Sequence, residues 1–589
     1  MTMLHYQIST LRHTAHLLEV TLTIPVPATV VVLKMPVWTP GSYMVREYAR
    51  HVQSFRVTQD GQSCNWQKTD KCTWQIDVPQ PHQPIVVHYA VYAYDLTVRT
   101  NHVDDTHAFF NPAAVCMCLP AYHGQMQISL LTPGHWHVAT QLDTNQAVQR
   151  HAEVATWSFV AESYDALYDA PFECGTHQFV QFFVENIPHE VVIWGHGNEQ
   201  IALLVRDIER IVRAVRAHFA TIPYARYTFI LHLADGMYGG LEHCNSTVCL
   251  CDKWGFAKPR DYEKVLGLIT HEFFHTWNVK RIRPAPLGPF DYFQENYTRQ
   301  LWLAEGVTSY YDNLIMCRAG LITPQRYLEL LADDINSVAR TPGRQLQSLA
   351  EASFDAWIRY YRPDENSPNV SISYYIKGAV VTFALDMFIR HVSAGARSFD
   401  DVLRLLEQRY PLSQPGIPED DTMVALIAEV AGVATQPVAQ FFAQYIYGTA
   451  ELDYATIASV VGLATHWDMS DDGAVSIGVR VKSDAGRLVV TSVTPQGPAA
   501  VAGISPFDEI IAFNDTRVDA VRFKSRLQEC VPGATVQIAY FRRDELRIVS
   551  LQVESTPWHN IRWVRDADAL PVQSAQYAQW LGSPSVGQE

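Results

Sequence analysis

Charge is scarce in this sequence and leans one way. Only 18% of the 589 residues are charged, and the formal net charge is -16. No basic run offsets that balance, which excludes nucleic acid as a partner class. No apolar run reaches about 18 residues, which excludes a membrane-spanning helix. The first twenty residues lack the basic-then-apolar order of a secretory leader and read as the opening strand of a domain. Ten cysteines are present without an evident disulfide framework, so reduced thiols in the cytoplasm are expected. Cys116/Cys118 and Cys249/Cys251 each have one intervening residue and no matching second pair, and are read as core thiols rather than metal ligands. There are no internal repeats. With 48% hydrophobic positions, a chain this long has the core of about three or four globular domains.

Against that background one stretch carries chemistry: His271-Glu272-Phe273-Phe274-His275. On a helix, four steps of about 100° bring both imidazoles to one face, where a single tetrahedral zinc ion can take both. Glu272 points away from the ligand face and can act as a base towards a bound water. Val265, Leu266, Leu268, Ile269, Phe273, Phe274 and Trp277 recur near the helical period. They predict a helix from Asp261, as N-cap, to Val279, stopped by Pro284, Pro286, Gly288 and Pro289. A second helix is predicted over Leu301–Ala319 with Gly320 as its C-cap. Within it Glu305 is flanked by Trp302, Leu303, Val307, Tyr310 and Tyr311. A carboxylate turned inward there needs a cation, and Glu305 is read as the third ligand of the same zinc.

The rest of the chain arranges itself around this centre. Residues 1–170 alternate in β-rich segments such as Leu17–Ile24, Val30–Met35, Ile85–Tyr94 and Thr156–Val160, predicting an antiparallel β domain. Its Trp38–Tyr43 and Val103–Thr106 segments are either turns at a domain interface or walls of the site. Residues 171–455 form an α+β domain, helical from about 325. It opens with an amphipathic helix at Gln200–Phe219 and a strand at Tyr227–Leu233. Gly239, Gly240 and Glu242 follow. The glycines let a substrate backbone approach a strand closely, and Glu242 can hold a cation. Tyr374 and Tyr375 lead into a helix; either donates to an oxyanion or belongs to the core. Residues 456–560 return to strands around one helix at Val521–Cys530, and 561–589 read as a tail.

In combination these motifs resemble the glycyl aminopeptidase family, which joins a β-rich domain, a thermolysin-like catalytic domain and a PDZ domain; the resemblance runs over roughly residues 1–560. His271–Arg283 and Leu301–Tyr311 are similar to its zinc signatures. Gly239–His243 is similar to its amine-recognition strand, which implies that Glu242 anchors the substrate's free amino group. Tyr375-Ile376-Lys377-Gly378 matches a Tyr-x-Lys-Gly whose tyrosine stabilises the oxyanion, implying that role for Tyr375. Ser476-Ile477-Gly478-Val479 matches a PDZ loop whose amides receive a C-terminal carboxylate, with a peptide strand added at the sheet edge. The resemblance implies one zinc per chain and removal of small first residues, glycine above all, from peptides with a free N-terminus. Thermolysin carries an aspartate four residues after its ligand glutamate; here Ser309 stands, so the histidines' partner is left open. The competing functions are a PDZ-fed endopeptidase, to which an amine anchor is useless, and an inactive PDZ adaptor, for which a complete ligand set is superfluous.

Overall fold

The structure is a computed structural model describing residues 3–144, 146–151, 153–469, 475–555 and 559–582. The chain forms two compact units. One comprises Met1–Thr298, Tyr311–Ile322 and Leu403–Glu419; the other comprises Arg299–Tyr310, Thr323–Val402 and Asp420–Glu589. The whole is a multidomain α+β protein, with a β-sandwich-like N-terminal domain, a helical middle and a PDZ domain.

In the first unit, alternation makes two-faced strands. Along Leu17–Ile24 the residues Leu18, Val20, Leu22 and Ile24 are buried while Glu19, Thr21 and Thr23 are half exposed. This strand is central in an eight-stranded sheet, between Leu4–Arg12 and Ile85–Tyr92. Its pairings are antiparallel except that of Leu4–Arg12 with Met126–Pro133. That parallel seam departs from the expected pattern and is possible because the connection between the two strands is long.

A second, mixed sheet is built from β1 (Gln178–Val184), β2 (Ile187–Trp194), β3 (Tyr227–Ala234), β4 (Gly239–Glu242) and β5 (Ser246–Asp252), arranged as β1-β2-β3-β5-β4. β2, β3 and β5 are parallel; the edge strands β1 and β4 are antiparallel to their neighbours. β3 is buried over nearly its whole length, as the middle of such a sheet requires. Helix α1 (Ile201–Arg216) contributes a buried stripe of Leu204, Ile208, Ile211, Val212 and Val215. Helix α2 (Pro259–Phe274) starts with proline at its first position, where φ is preset and no N–H is needed, so Asp261 lies in the first turn and is not the cap. α2 ends at Phe274, short of the expected Val279. Beyond it the chain tightens into turns, with Lys280 N–H donating to the His275 carbonyl at 3.0 Å and Ile282 N–H to that of Trp277 at 2.7 Å.

The second expected helix is also interrupted. Trp302–Gly306 is a π-helical turn, followed by α3 (Val307–Arg318) and Gly320 at φ 67°. In the second unit α4 (Pro324–Ala339), α5 (Ile376–Val392), α6 (Thr422–Ala431) and α7 (Thr435–Tyr445) lie in the stretch expected to be helical from about 325. The PDZ sheet runs β6-β7-β8-β9-β10, comprising β6 (Val479–Asp484), β7 (Arg487–Val493), β8 (Glu509–Phe513), β9 (Thr535–Arg542) and β10 (Glu545–Gln552). With α8 (Ala520–Gln528) it encloses Val490, Ile510, Phe513, Phe523 and Ile538.

The stretch read as a tail is structured over its described part. His559–Arg565 pairs antiparallel with Leu463–Met469, and α9 (Pro571–Leu581) follows; residues 583–589 lie outside the described residues. α9 carries the fully buried Trp580, whose indole N–H donates to the Tyr310 hydroxyl at 2.8 Å and whose ring stacks on Phe383 at 5.6 Å. Among the described residues no helix is long and apolar enough to cross a membrane. Truncating a buried tryptophan costs about 3–5 kcal/mol. Trp580→Ala should therefore lower the urea midpoint of the second unit by that equivalent in far-UV circular dichroism.

Candidate metal and substrate site

α2 delivers His271, Glu272 and the start of the turn holding His275. The two imidazole rings lie 4.7 Å apart at 86°. His271 Nδ1 is 3.2 Å from Asp312 Oδ2, and His275 Nδ1 is 2.7 Å from the Asn278 carbonyl. With Nδ1 engaged on both rings, Nε2 is the atom each could offer a metal, and the anionic or carbonyl partner would strengthen it as a donor. Asp312 fills the role that Ser309 left open. It stands on α3 two helical turns beyond Glu305 instead of one, the one signal that counting along the helix offered. Burial pushes its carboxyl above the usual range while His271 draws it back. The inward Asn278 carbonyl is a product of α2 stopping early.

Glu272 is only 5% exposed and projects towards β4. A Cβ on Gly240 would fall 2.0 Å from Glu272 Oε1, so this glycine is where the carboxylate fits. Gly239 differs, since a Cβ there would meet Arg99 Nη1 at an ordinary 3.7 Å. Leu241 turns into a core with Val98, Phe109 and Ile230, and strand alternation returns Glu242 to the side of Gly240. Donor atoms of Glu242, Glu272 and His275 all lie within 4.8 Å of one another. Glu242 is 3% exposed, and among the described residues its Oε1 has no hydrogen-bond partner. The N-terminal domain closes over it. Gly41, at φ 87°, approaches so tightly that a Cβ would stand 2.6 and 2.7 Å from the two Glu242 oxygens. Arg99 Nη2 donates to the Gly240 carbonyl at 3.0 Å, covering part of the β4 edge. Trp38–Tyr43 thus walls this site through Gly41. Val103–Thr106 makes a turn, with Asp104 Oδ1 accepting the Thr106 and His107 N–H groups. Gly41 lay within the segment singled out in the sequence; Arg99 carried no signal there.

In the second unit Glu305 lies in the π-turn, 2% exposed. A Cβ on Gly306 would stand 2.6 Å from Gly378 Cα, so paired glycines let the π-turn meet the start of α5. Tyr375 sits at that start, half buried, whereas Tyr374 is fully buried. Burial, then the charge of Glu305, raises the Tyr375 hydroxyl well above its ordinary 10, so it remains a hydrogen-bond donor at neutral pH. Tyr360 stacks on it at 5.3 Å and the Tyr361 hydroxyl lies 3.5 Å away. In the PDZ domain Ile477 is buried, Gly478 has φ 76° and its N–H donates to Ser476 Oγ at 2.9 Å. Val479 opens β6, an edge strand. Cys116, Cys118, Cys249 and Cys251 are buried and belong to none of the metal-competent groups among the described residues.

Models of known families match three stretches: the peptidase M61 N-terminal domain over residues 5–176, M61 glycyl aminopeptidase over 264–381 and a PDZ domain over 475–553. A solved aminopeptidase N family protein from Idiomarina loihiensis is 30% identical, with a TM-score of 0.91 covering 98% of this chain and 100% of that one. The chain belongs to the M61 glycyl aminopeptidase family. It is a metallo-aminopeptidase, a peptide hydrolase. An M1 zinc metallopeptidase from Deinococcus radiodurans shares the fold at TM-score 0.50 and 13% identity, over 76% of this chain and 94% of that one. The curated serine endoprotease DegS of Salmonella typhimurium is 35% identical over 74 residues. That match spans 12% of this chain and about a fifth of DegS, 21%.

For this M61 aminopeptidase the Gly240 contact is directly testable. In Gly240→Ala the new methyl displaces Glu272; if Glu272 is the general base, as its place in the motif implies, the displacement costs roughly 10²–10⁴-fold. Steady-state kinetics should show kcat down by about 10²-fold or more, with bound metal unchanged by elemental analysis.

Proposed function

We propose that this aminopeptidase is zinc-dependent and releases a small first residue, glycine or alanine, from peptides with a free N-terminus. The observation that carries this reading is Glu242: a buried carboxylate oxygen without a hydrogen-bond partner among the described residues, beside Glu272 and His275. Such an oxygen is costly unless a ligand supplies a donor. The substrate's ammonium does so.

His271 and His275, through Nε2, and Glu305 would hold one zinc. Two imidazoles and a carboxylate are a donor set that zinc takes, and the hydrogen bonds at both Nδ1 atoms suit it. The M1 relative of the same fold is described as a zinc enzyme. Bound there, zinc supplies Lewis acidity that makes a water nucleophilic near neutral pH. Glu272 takes that water's proton and passes it to the leaving amine. Tyr375 donates to the scissile carbonyl oxygen as charge gathers on it. Glu242 fixes the ammonium, so the bond cut is the first one. Gly41, pressed against both Glu242 oxygens, leaves little room beside the anchor, in keeping with a small first side chain. The PDZ edge strand β6 and the Ser476–Val479 loop offer a place for a peptide C-terminus; an amine anchor has no use in an endopeptidase fed from there.

A charge-assisted hydrogen bond is worth about 1.5–3 kcal/mol, or roughly ten- to over a hundredfold in kcat/KM. Glu242→Gln should therefore slow hydrolysis of a glycyl anilide by about that factor while leaving cleavage of its N-acetylated counterpart unchanged. An unaltered ratio between the two substrates would remove Glu242 as the anchor.

A further inference from the structure

Immediately after Glu242 the chain is gripped by a carboxylate from the N-terminal domain. Asp169, the C-cap of the short helix Tyr164–Tyr168, accepts the Cys244 N–H at 2.7 Å and the Gln141 side-chain amide at 3.2 Å through Oδ2. Its Oδ1 lies 3.3 Å from His243 Nδ1 and 2.6 Å from Lys280 Nζ. Lys280 comes from the turn after α2, and its side chain is 7% exposed against 13% for Asp169. Desolvation works against the buried ammonium. It is the largest single effect, but the charges of Asp169, Cys244 and Glu242 and the hydrogen bond to Asp169 together outweigh it, so Lys280 stays charged.

A permanent ammonium thus stands within electrostatic reach of the carboxylate that, on the reading above, receives another ammonium. A tethered cation competes at an effective concentration on the order of millimolar, and a buried charge stripped of its partner seeks the nearest opposite charge. We infer that Asp169 is a positioning residue: by pairing with Lys280 it keeps that ammonium off Glu242 and leaves the anchor open to the substrate. The inference rests on Glu242 being the amine anchor.

The test is a charge-removal cycle in the full-length enzyme, assayed with a glycyl anilide. Asp169→Asn keeps the shape and drops the charge. KM should rise about tenfold or more, with kcat within about threefold and zinc content unchanged, the signature of lost binding rather than lost chemistry. Removing the rival as well, in Asp169→Asn with Lys280→Met, should return KM to within about threefold of the parent. An unchanged KM in the single variant, or a double variant as impaired as the single, overturns the inference. If Asp169→Asn does not fold, Lys280→Met alone decides. KM within about threefold of the parent supports the inference, because Lys280 lends the anchor nothing; a tenfold rise makes Lys280 part of the substrate site and overturns it. Failure of the anchor reading is separately visible, because Glu242→Gln would then leave the free-amine to N-acetyl ratio untouched while the Asp169 cycle is read on KM alone.

Discussion

Everything at the site depends on buried negative charge placed where it cannot stand alone. Glu242 and Glu272 are both nearly inaccessible and share a space with His275 in which donor atoms lie within 4.8 Å. Two like charges at about 4 Å repel by about 4 kcal/mol even at an effective dielectric of 20. Such a cluster is tolerable when cations complete it, and this one is arranged for two kinds. On the proposed reading the histidines would hold a metal and Glu242 a substrate ammonium. The surrounding packing serves that arrangement: Gly240 makes room for Glu272, Gly41 seals Glu242, and Asp312 and the Asn278 carbonyl aim the imidazoles.

The N-terminal β domain is therefore built into the candidate site and is not an appendage. Gly41, Arg99 and Asp169 all belong to it or to its last turn, and each touches β4 or the residues that follow it. A domain whose strands were legible only as alternation supplies the roof over Glu242 and the counter-charge for Lys280.

What could be read from residues alone was whatever repeats or has fixed spacing. The histidine pair, the helices of the second unit and the PDZ strand order announce themselves by period, and Glu305 by its apolar flanks. Contacts set by the fold did not. Periodicity continued past Phe274, but the chain turns there and brings the Asn278 carbonyl to the His275 imidazole. Asp312 sits two turns from Glu305, where a one-turn template misses it. Gly240 was read as room for substrate, and the structure gives that room to Glu272. The stretch after residue 560 has no strong pattern because its burial rests on a few large aromatics such as Trp580.

The central claim is that a single zinc completes this charge cluster through two imidazoles and a carboxylate. Zinc K-edge absorption on the purified enzyme tests it most directly. The account predicts one zinc per chain with a shell of nitrogen and oxygen at about 2.0–2.2 Å, carrying the outer-shell scattering of two imidazoles. A sulfur shell at about 2.3 Å, or full peptidase activity in protein without stoichiometric zinc, would contradict it.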